Sequence, residues 1–278
     1  MKKGPAVSVI IATYNFLNYL QLCLLTLERQ RFRDFEVIVA DDGSGPQVGQ
    51  WLAGYRPGFE VRHLWQEDKG FRKCRILNQA VLQARAPYLV FLDADCLLAC
   101  DFIQQHWLYR EPGRFLGGRR VMIARRLAET VTPEMVRRGT FDGFCWWAFR
   151  HVFSGEVRYF EESLPWLHRW RPSHPFSLLG CNFSLFRQDL LRVNGFDEDY
   201  ESRGGGEDTD IAVRLNLAGI RMKSVRYRAI QYHLGHEKSE PKSASEKLFR
   251  AKTEKLKTAR DAASINSAIR TDGGGERS

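Results

Sequence analysis

Three short apolar runs, rich in β-branched residues, recur through the first hundred positions, and each ends on a polar cluster. Val7–Ala12 passes into Thr13-Tyr14-Asn15, Phe35–Ala40 into Asp41-Asp42-Gly43-Ser44, and Tyr88–Leu92 into Asp93-Ala94-Asp95. Apolar runs with little polar alternation are typical of strands buried on both faces, and such strands belong to parallel sheets covered by helices. The intervening segments Leu17–Leu27, Gln47–Ala53 and Ile76–Ala84 have helical spacing, and Glu60–Leu64 reads as a further short strand. This β-α-β-α-β order predicts an α/β domain, Rossmann-like, with a mostly parallel central sheet flanked by helices. Ligands of open sheets of this kind bind at the carboxyl ends of the strands. Asn15, Asp42 and Asp95 are therefore expected to converge on one crevice.

The second half is less regular. Phe115–Ile123 reads as one strand carrying Gly117-Gly118, Phe183–Phe186 and Ser224–Ile230 as strands, and Asp208–Ala218 as a helix. Residues 139–172 are unusually aromatic, with Trp146, Trp147, Trp166 and Trp170 among them. These rings suit a packed core, a platform against sugar faces, or a membrane interface, and core packing is the expectation. From Lys242 the chain reads as a basic helix, a C-terminal extension whose Gly-rich end, 272–278, is expected to be disordered. The expected organisation is a domain over 1–240, divided near residue 100, followed by a tail over 241–278.

The 278 residues carry a formal net charge of +9. That balance suits nucleotide phosphates, nucleic acid or acidic lipid without choosing among them. No apolar run reaches the length that spans a bilayer. The Ala6–Ala12 run is too short for a signal sequence, so a cytoplasmic location is expected. Lys242, Lys247, Arg250, Lys252, Lys255 and Lys257 could attract an anionic inner leaflet as a peripheral contact, although a solvated helix explains them equally well. None of the six cysteines forms a C-x-x-C pair, which argues against a zinc site and for thiols.

Several clusters can carry chemistry. Two carboxylates one residue apart at a buried strand's end, Asp93 and Asp95, can hold a hard cation that bridges nucleotide phosphates, or they can be solvated loop acids. Of Asp41 and Asp42, one can accept from a base or ribose while the other caps the following turn. Glu207 and Asp208 follow Gly204-Gly205-Gly206 at a helix start. A carboxylate there can act as general base, and acids also simply favour a helix N-terminus. His233 and His236 can complete a metal site begun by Asp95. Lys69, Arg72, Lys73 and Arg75 can face donor phosphates or form a solvated turn.

In combination, Val7–Asn15, Phe35–Ser44 and Leu92–Asp95 resemble the family-two inverting glycosyltransferases of the GT-A fold. Gly180–Ser184, Asn194–Glu198 and Gly206–Asp210 resemble a galactosyltransferase-type acceptor segment. The resemblance implies a nucleotide-sugar-binding half over 1–100 and an acceptor-binding half over 101–240. By it, Thr13, Tyr14, Asn15, Asp42, Lys69, Arg75 and Asp93 would bind the donor, most simply a UDP-sugar. Asn182, Gly206 and Glu207 would bind a carbohydrate or glycolipid acceptor. Asp208 would be the catalytic base, with Glu207 orienting the acceptor. Asp95, with Asp93 and with His233 or His236, would hold a divalent metal, Mn²⁺ or Mg²⁺; a mixed carboxylate–imidazole set tilts toward Mn²⁺. Bacterial surface polysaccharide or lipopolysaccharide synthesis is the implied setting. Two other readings fit parts of the pattern. A nucleotidyltransferase needs a Gly-rich phosphate loop after the first strand, where Thr13-Tyr14-Asn15-Phe16 offers none. A basic nucleic-acid or carbohydrate-binding module needs a basic motif, and here the cations are scattered, so no nucleic-acid partner is expected.

Overall fold

The computed structural model describes residues 4–169, 177–202, 206–236, 247–252 and 254. Its main sheet contains β1 (Val7–Thr13), β2 (Phe35–Asp41), β3 (Glu60–Trp65) and β4 (Tyr88–Asp93). A smaller sheet is begun by β5 (Cys96–Leu98). The later strands are β6 (Arg114–Gly117), β7 (Val121–Ile123), β8 (Val157–Arg158), β9 (Phe183–Phe186), β10 (Arg221–Ser224) and β11 (Gln231–Leu234). The main sheet has the order β10-β6-β9-β4-β1-β2-β3, and the smaller one the order β5-β11-β7-β8. β1 pairs in parallel with both β2 and β4, and β2 with β3. β9 runs antiparallel to β4 and β6. The sheet is therefore mostly parallel, and strands from both halves of the chain belong to it. The division near residue 100 does not separate two sheets.

Alternation along β1 explains why both faces are covered. Val7, Val9 and Ile11 pack with Leu20, Leu24 and Leu27 of the helix Leu17–Glu28. Ile10 and Ala12 point the other way, onto Leu77 and Ala80 of the helix Lys73–Gln83 and Ile211 and Leu215 of the helix Glu207–Leu217. Successive strand side chains face opposite sides, so an uninterrupted apolar run feeds two cores. Glu36, inside the apolar run of β2, is buried and accepts hydrogen bonds from Ser8 Oγ at 2.6 Å and from Arg85 N and Nε at 2.8 Å. A third core underlies the smaller sheet. It takes Phe141, Cys145, Ala148 and Phe160 from the aromatic stretch, with Trp147 packed against it, while Trp146 and Trp166 remain exposed. Trp170 lies outside the described residues.

The structure corrects two strand readings. Phe115–Ile123 is broken at Gly118-Arg119-Arg120 into β6 and β7, which lie in different sheets. Gly118 meets the buried Asn182 side chain so closely that no Cβ fits, and its N–H donates to Asn182 O at 2.9 Å. Ser224–Ile230 is not a strand: β10 ends at Ser224, and the chain turns, with Tyr227 at φ 63, before β11 starts at Gln231. The helix Phe102–Tyr109 was not anticipated. Of the tail, 247–252 is helical. Leu248 and Phe249 pack against the second core, and Lys252 Nζ pairs with Asp197 and, at 2.6 Å, with Asp199. Lys242, Lys255, Lys257 and the Gly-rich end lie outside the described residues. No helix among the described residues is long and apolar enough to cross a membrane. All six cysteines are buried and free.

The turn after β2 shapes the crevice. Gly43 sits at φ 97, and a Cβ there would stand 2.6 Å from Asp68 Cα. Gly43→Ala should cost ~1–3 kcal/mol from left-handed strain and backbone contact. A lowered denaturation midpoint with unchanged slope is the expected result.

Candidate active site

The parallel strand ends deliver the polar clusters to one place. Thr13 is in register with Asp41, and Ala12 with Asp93. Above them lies a cleft of about 440 Å³ whose lining includes Thr13, Tyr14, Asp42, Lys73, Asp93, Asp95, Glu207 and His236. Asp41 and Asp42 divide the two roles expected of them. Asp41 turns back to cap the turn, accepting from Ser44 N at 2.8 Å, and meets His63 Nε2 at 2.9 Å. Asp42 faces the cleft, accepting from Gln66 Nε2 at 2.5 Å and Arg72 N at 2.9 Å. Burial nevertheless pushes its carboxyl above the usual range, against those donors. Thr13 Oγ1 is buried on this wall without a hydrogen-bond partner among the described residues. Tyr14 Oη donates to Asp68 Oδ2 at 2.9 Å across the mouth.

At the other end, β5 and β11 bring a carboxylate and two imidazoles together. Cys96, next to Asp95, is in register with His233, and Leu234 N donates to Asp95 O at 2.8 Å. His233 Nε2 and His236 Nε2 each lie 3.1 Å from Asp95 Oδ2. Gly235 makes the second approach possible. A Cβ there would stand 2.5 Å from Ile123 O, so only glycine lets the chain pass and turn His236 inward, against Phe16 at 4.8 Å between ring centres. Donor atoms of the three residues lie within 4.8 Å of one another. A divalent ion with ligand distances of about 2.0–2.6 Å can span such a group, so the residues fit the metal the sequence implies. Both histidines reach the carboxylate, where the sequence left the choice open. Burial opposes charge on Asp95, but hydrogen bonds and charge from the two imidazoles outweigh it and hold the carboxyl well below its ordinary value.

Asp93 is not in that group. Its Oδ1 accepts from Lys73 Nζ at 2.7 Å. Burial works against the Lys73 charge, yet Asp93, Asp208 and Glu207 together raise its pKa well above the ordinary value. Glu207 lines the cleft with Oε2 buried and unpartnered among the described residues. Burial, then the neighbouring Asp208, pushes its carboxyl up to about 7. Asp208 Oδ2 accepts from Gly180 N at 2.7 Å, and burial raises its pKa despite the opposing Lys73. Two acids of raised pKa thus stand beside one ammonium, an arrangement suited to accepting a proton near neutral pH.

Four expected contacts fall elsewhere. Lys69 is 61% exposed and pairs with Glu67, and Arg75 is exposed and does not line the cleft. Lys73 takes their place. The signal was available: Lys73 lies four and seven residues before the buried Leu77 and Ala80 on one helical face, whereas Arg75 does not. Asn15 is exposed at φ 56. Its Oδ1 accepts from Gly45 N at 2.9 Å and its N donates to Ser44 Oγ at 2.8 Å, so it ties two loops together rather than entering the cleft. Asn182 is fully buried. Its Nδ2 donates to Arg119 O at 2.8 Å and Ala229 O at 3.1 Å, and its Oδ1 lies 3.1 Å from His106 Nε2, which leaves nothing for an acceptor. It positions the walls instead. Gly206, at φ 120, caps the helix that carries Glu207 and Asp208, and Gly204 and Gly205 lie outside the described residues.

Comparison with known proteins decides the family. Residues 8–154, more than half of the chain, match the model for Glycosyl transferase family 2. The chain belongs to glycosyltransferase family 2. Residues 167–237 of this glycosyltransferase match a second model, described as the N-terminal domain of galactosyltransferase. Validoxylamine A glucosyltransferase of Streptomyces hygroscopicus subsp. jinggangensis is 32% identical over 234 residues, covering 78% of this chain and 53% of that protein. Chondroitin synthase of Escherichia coli is 24% identical over 239 residues, covering 81% of this chain and 34% of that protein. The chain thus spans about half the length, or less, of these relatives. Among solved structures, S. aureus TarS 1-349 in complex with UDP-GlcNAc is similar with a TM-score of 0.58, 20% identity and coverage of 84% of this chain and 59% of that one. The mannosyltransferase PcManGT from Pyrobaculum calidifontis, in complex with GDP-Man and Mn2+, gives 0.52, 20%, 88% and 59%. The fold is GT-A.

Two outcomes are expected from the site. At Mn²⁺ a hundredfold above its dissociation constant, the ion should add ~2.7 kcal/mol of stability, read as a rise in melting temperature, and Asp95→Ala should lose that rise. Lys73→Met should destabilise the fold by ~1–3 kcal/mol, because it strands Asp93 beside two further acids; equilibrium denaturation measures it.

Proposed function

We propose that this chain is an inverting, metal-dependent hexosyltransferase that moves a sugar from a nucleotide donor, most simply a UDP-sugar, to a carbohydrate hydroxyl. The observation that carries this reading is one cleft lined by Asp42, by Asp95 and His236 of the group that His233 completes behind them, and by Glu207, next in the chain to Asp208. Asp42 and the unpartnered Thr13 hydroxyl are placed to receive a nucleoside, with Tyr14 and Phe71 offering apolar faces at the mouth. Asp95, His233 and His236 would hold a divalent ion, Mn²⁺ by the chemistry of the donor set, and when bound it would supply positive charge to a nucleoside diphosphate. Lys73 keeps Asp93 oriented and its charge balanced.

Asp208 is the base in this reading. Gly180 N–H fixes one of its oxygens, leaving the other to accept the proton of an acceptor hydroxyl as that oxygen attacks the anomeric carbon. Glu207, with its free Oε2, orients the same acceptor. The attack comes opposite the departing diphosphate, so configuration inverts. The acceptor belongs to a surface glycan or glycolipid in this proposal, and the chain works at the inner face of a membrane. The relatives named above are glycosyltransferases acting on different acceptors, which supports the reaction class more than any one acceptor.

Asp208→Asn should leave the affinity for UDP with Mn²⁺ unchanged and lower transfer by ~10²–10⁴-fold, the usual worth of general-base assistance. Near-normal transfer by this variant would refute the base assignment. The pH profile gives an independent check. Because the Glu207 pKa is raised to about 7, its proton stays on until about that pH, and the charged form is the stronger acceptor for a hydroxyl. kcat/KM should therefore climb as pH rises to about 7 and level off above it, and Glu207→Gln should remove that limb.

A further inference from the structure

A second cavity, of about 450 Å³, is lined by Arg119, Arg120, Arg158 and Arg226, with Glu161 and Glu162 as its acids. The arginines come from three separate segments: the link between β6 and β7, the end of β8, and the turn that follows β10. Arg226 Nε donates to Glu162 Oε2 at 3.2 Å and its Nη2 pairs with Oε1, so this fork occupies Glu162 on both oxygens. Among the described lining residues, Arg119, Arg120 and Arg158 then share the cavity with one further carboxylate, Glu161. Burial first, and then the charges of Arg226 and Arg120 against that of Glu162, makes Arg119 easier to deprotonate than an ordinary arginine, as expected where guanidinium groups lie close together. Solvated surface arginines can spread into water, whereas these converge on a concave space.

The cavity adjoins the reaction centre. Leu179 on its wall precedes Gly180, whose N–H holds Asp208. Arg120 donates to Cys181 Sγ at 3.1 Å, and its charge is felt at Asp93, Asp95 and Asp208. Tyr159, held at φ 58, exposes its ring beside Arg158, 6.0 Å from ring centre to guanidinium carbon. A ring face with planar cations beside it is what a sugar carrying a negative group can use, because guanidinium forks match carboxylate and phosphate oxygens.

We propose that this cavity is an acceptor subsite for an anionic saccharide, bearing a carboxylate or a phosphate ester, gripped by Arg119 and Arg158. The proposal rests on the glycosyltransferase reading for the word acceptor, and the test separates the two. With UDP and Mn²⁺ present, ligand-observed NMR titrations would compare methyl glucuronide, methyl glucoside 6-phosphate and neutral methyl glucoside. At least one charged sugar should bind tenfold or more tighter than the neutral one, and which of them does so assigns carboxylate or phosphate. An Arg119→Gln/Arg158→Gln variant should lose that tenfold preference while its UDP affinity stays unchanged, which also shows that it folds. Equal binding of charged and neutral sugars, or a preference that survives in the variant, overturns the subsite. Failure of UDP, GDP, dTDP and CMP alike to bind the unaltered protein overturns the glycosyltransferase reading instead.

Discussion

One ammonium group, Lys73, stands among three carboxylates, and the candidate site depends on that arrangement. Asp93 touches it at 2.7 Å, and Glu207 and Asp208 raise its pKa from farther off. Acids gathered out of water repel one another, and each would take up a proton if nothing opposed it. Lys73 supplies part of the opposition and sits at the first turn of a helix that also buries Ile76, Leu77, Ala80 and Val81 in the core. Protein stability and site charge are therefore linked through one side chain. The balance is left incomplete, with acids in excess, which is the condition under which Glu207 can hold its proton to about pH 7 and a cation is welcome nearby.

The two sheets divide the work. The main sheet brings the ends of β1, β2 and β4 to the floor of the cleft by parallel register alone. The smaller sheet turns the chain back so that β11 lies beside β5, and this places His233 and His236 against Asp95 from more than a hundred residues away. Asn182 holds the two parts in relation. From beside β9 it bonds to the link between β6 and β7, to the residue two before β11, and to His106. Its amide is buried and bonded on both its oxygen and its nitrogen, so it fixes the two parts in relation without lining the cleft. Arg119, Arg120 and Arg226 of the second cavity are carried by the same link and turn, and Arg158 joins them from β8.

How much could be read in advance differs between the halves. In β1, β2 and β4 the apolar run and its terminal acids are local features, and strand boundaries fell within one residue of expectation. Phe115–Ile123 misled because its hydropathy is continuous. What meets the chain at Gly118, where the strand breaks, is Asn182, sixty-four residues further on. Among the cations after Asp68, spacing from the buried Leu77 and Ala80 would have selected Lys73 over Arg75. Asn182 read as a contact residue because nothing local reveals that its partners would be backbone carbonyls and a buried imidazole.

By itself, the sequence determined the layered α/β architecture and the placing of Asp42, Asp93 and Asp95 at the ends of strands, because burial on two faces and period-two alternation act within a few residues. Tertiary structure alone decided that Asp42 meets Gln66 and Arg72 at the cleft, that both histidines meet Asp95, that Asp93 belongs to Lys73, and that arginines from three segments share a cavity. Each of these is a distance of a few ångströms between segments far apart in the chain. Electrostatics and hydrogen bonding fall off over that range, so their outcome is set only once packing has fixed the positions.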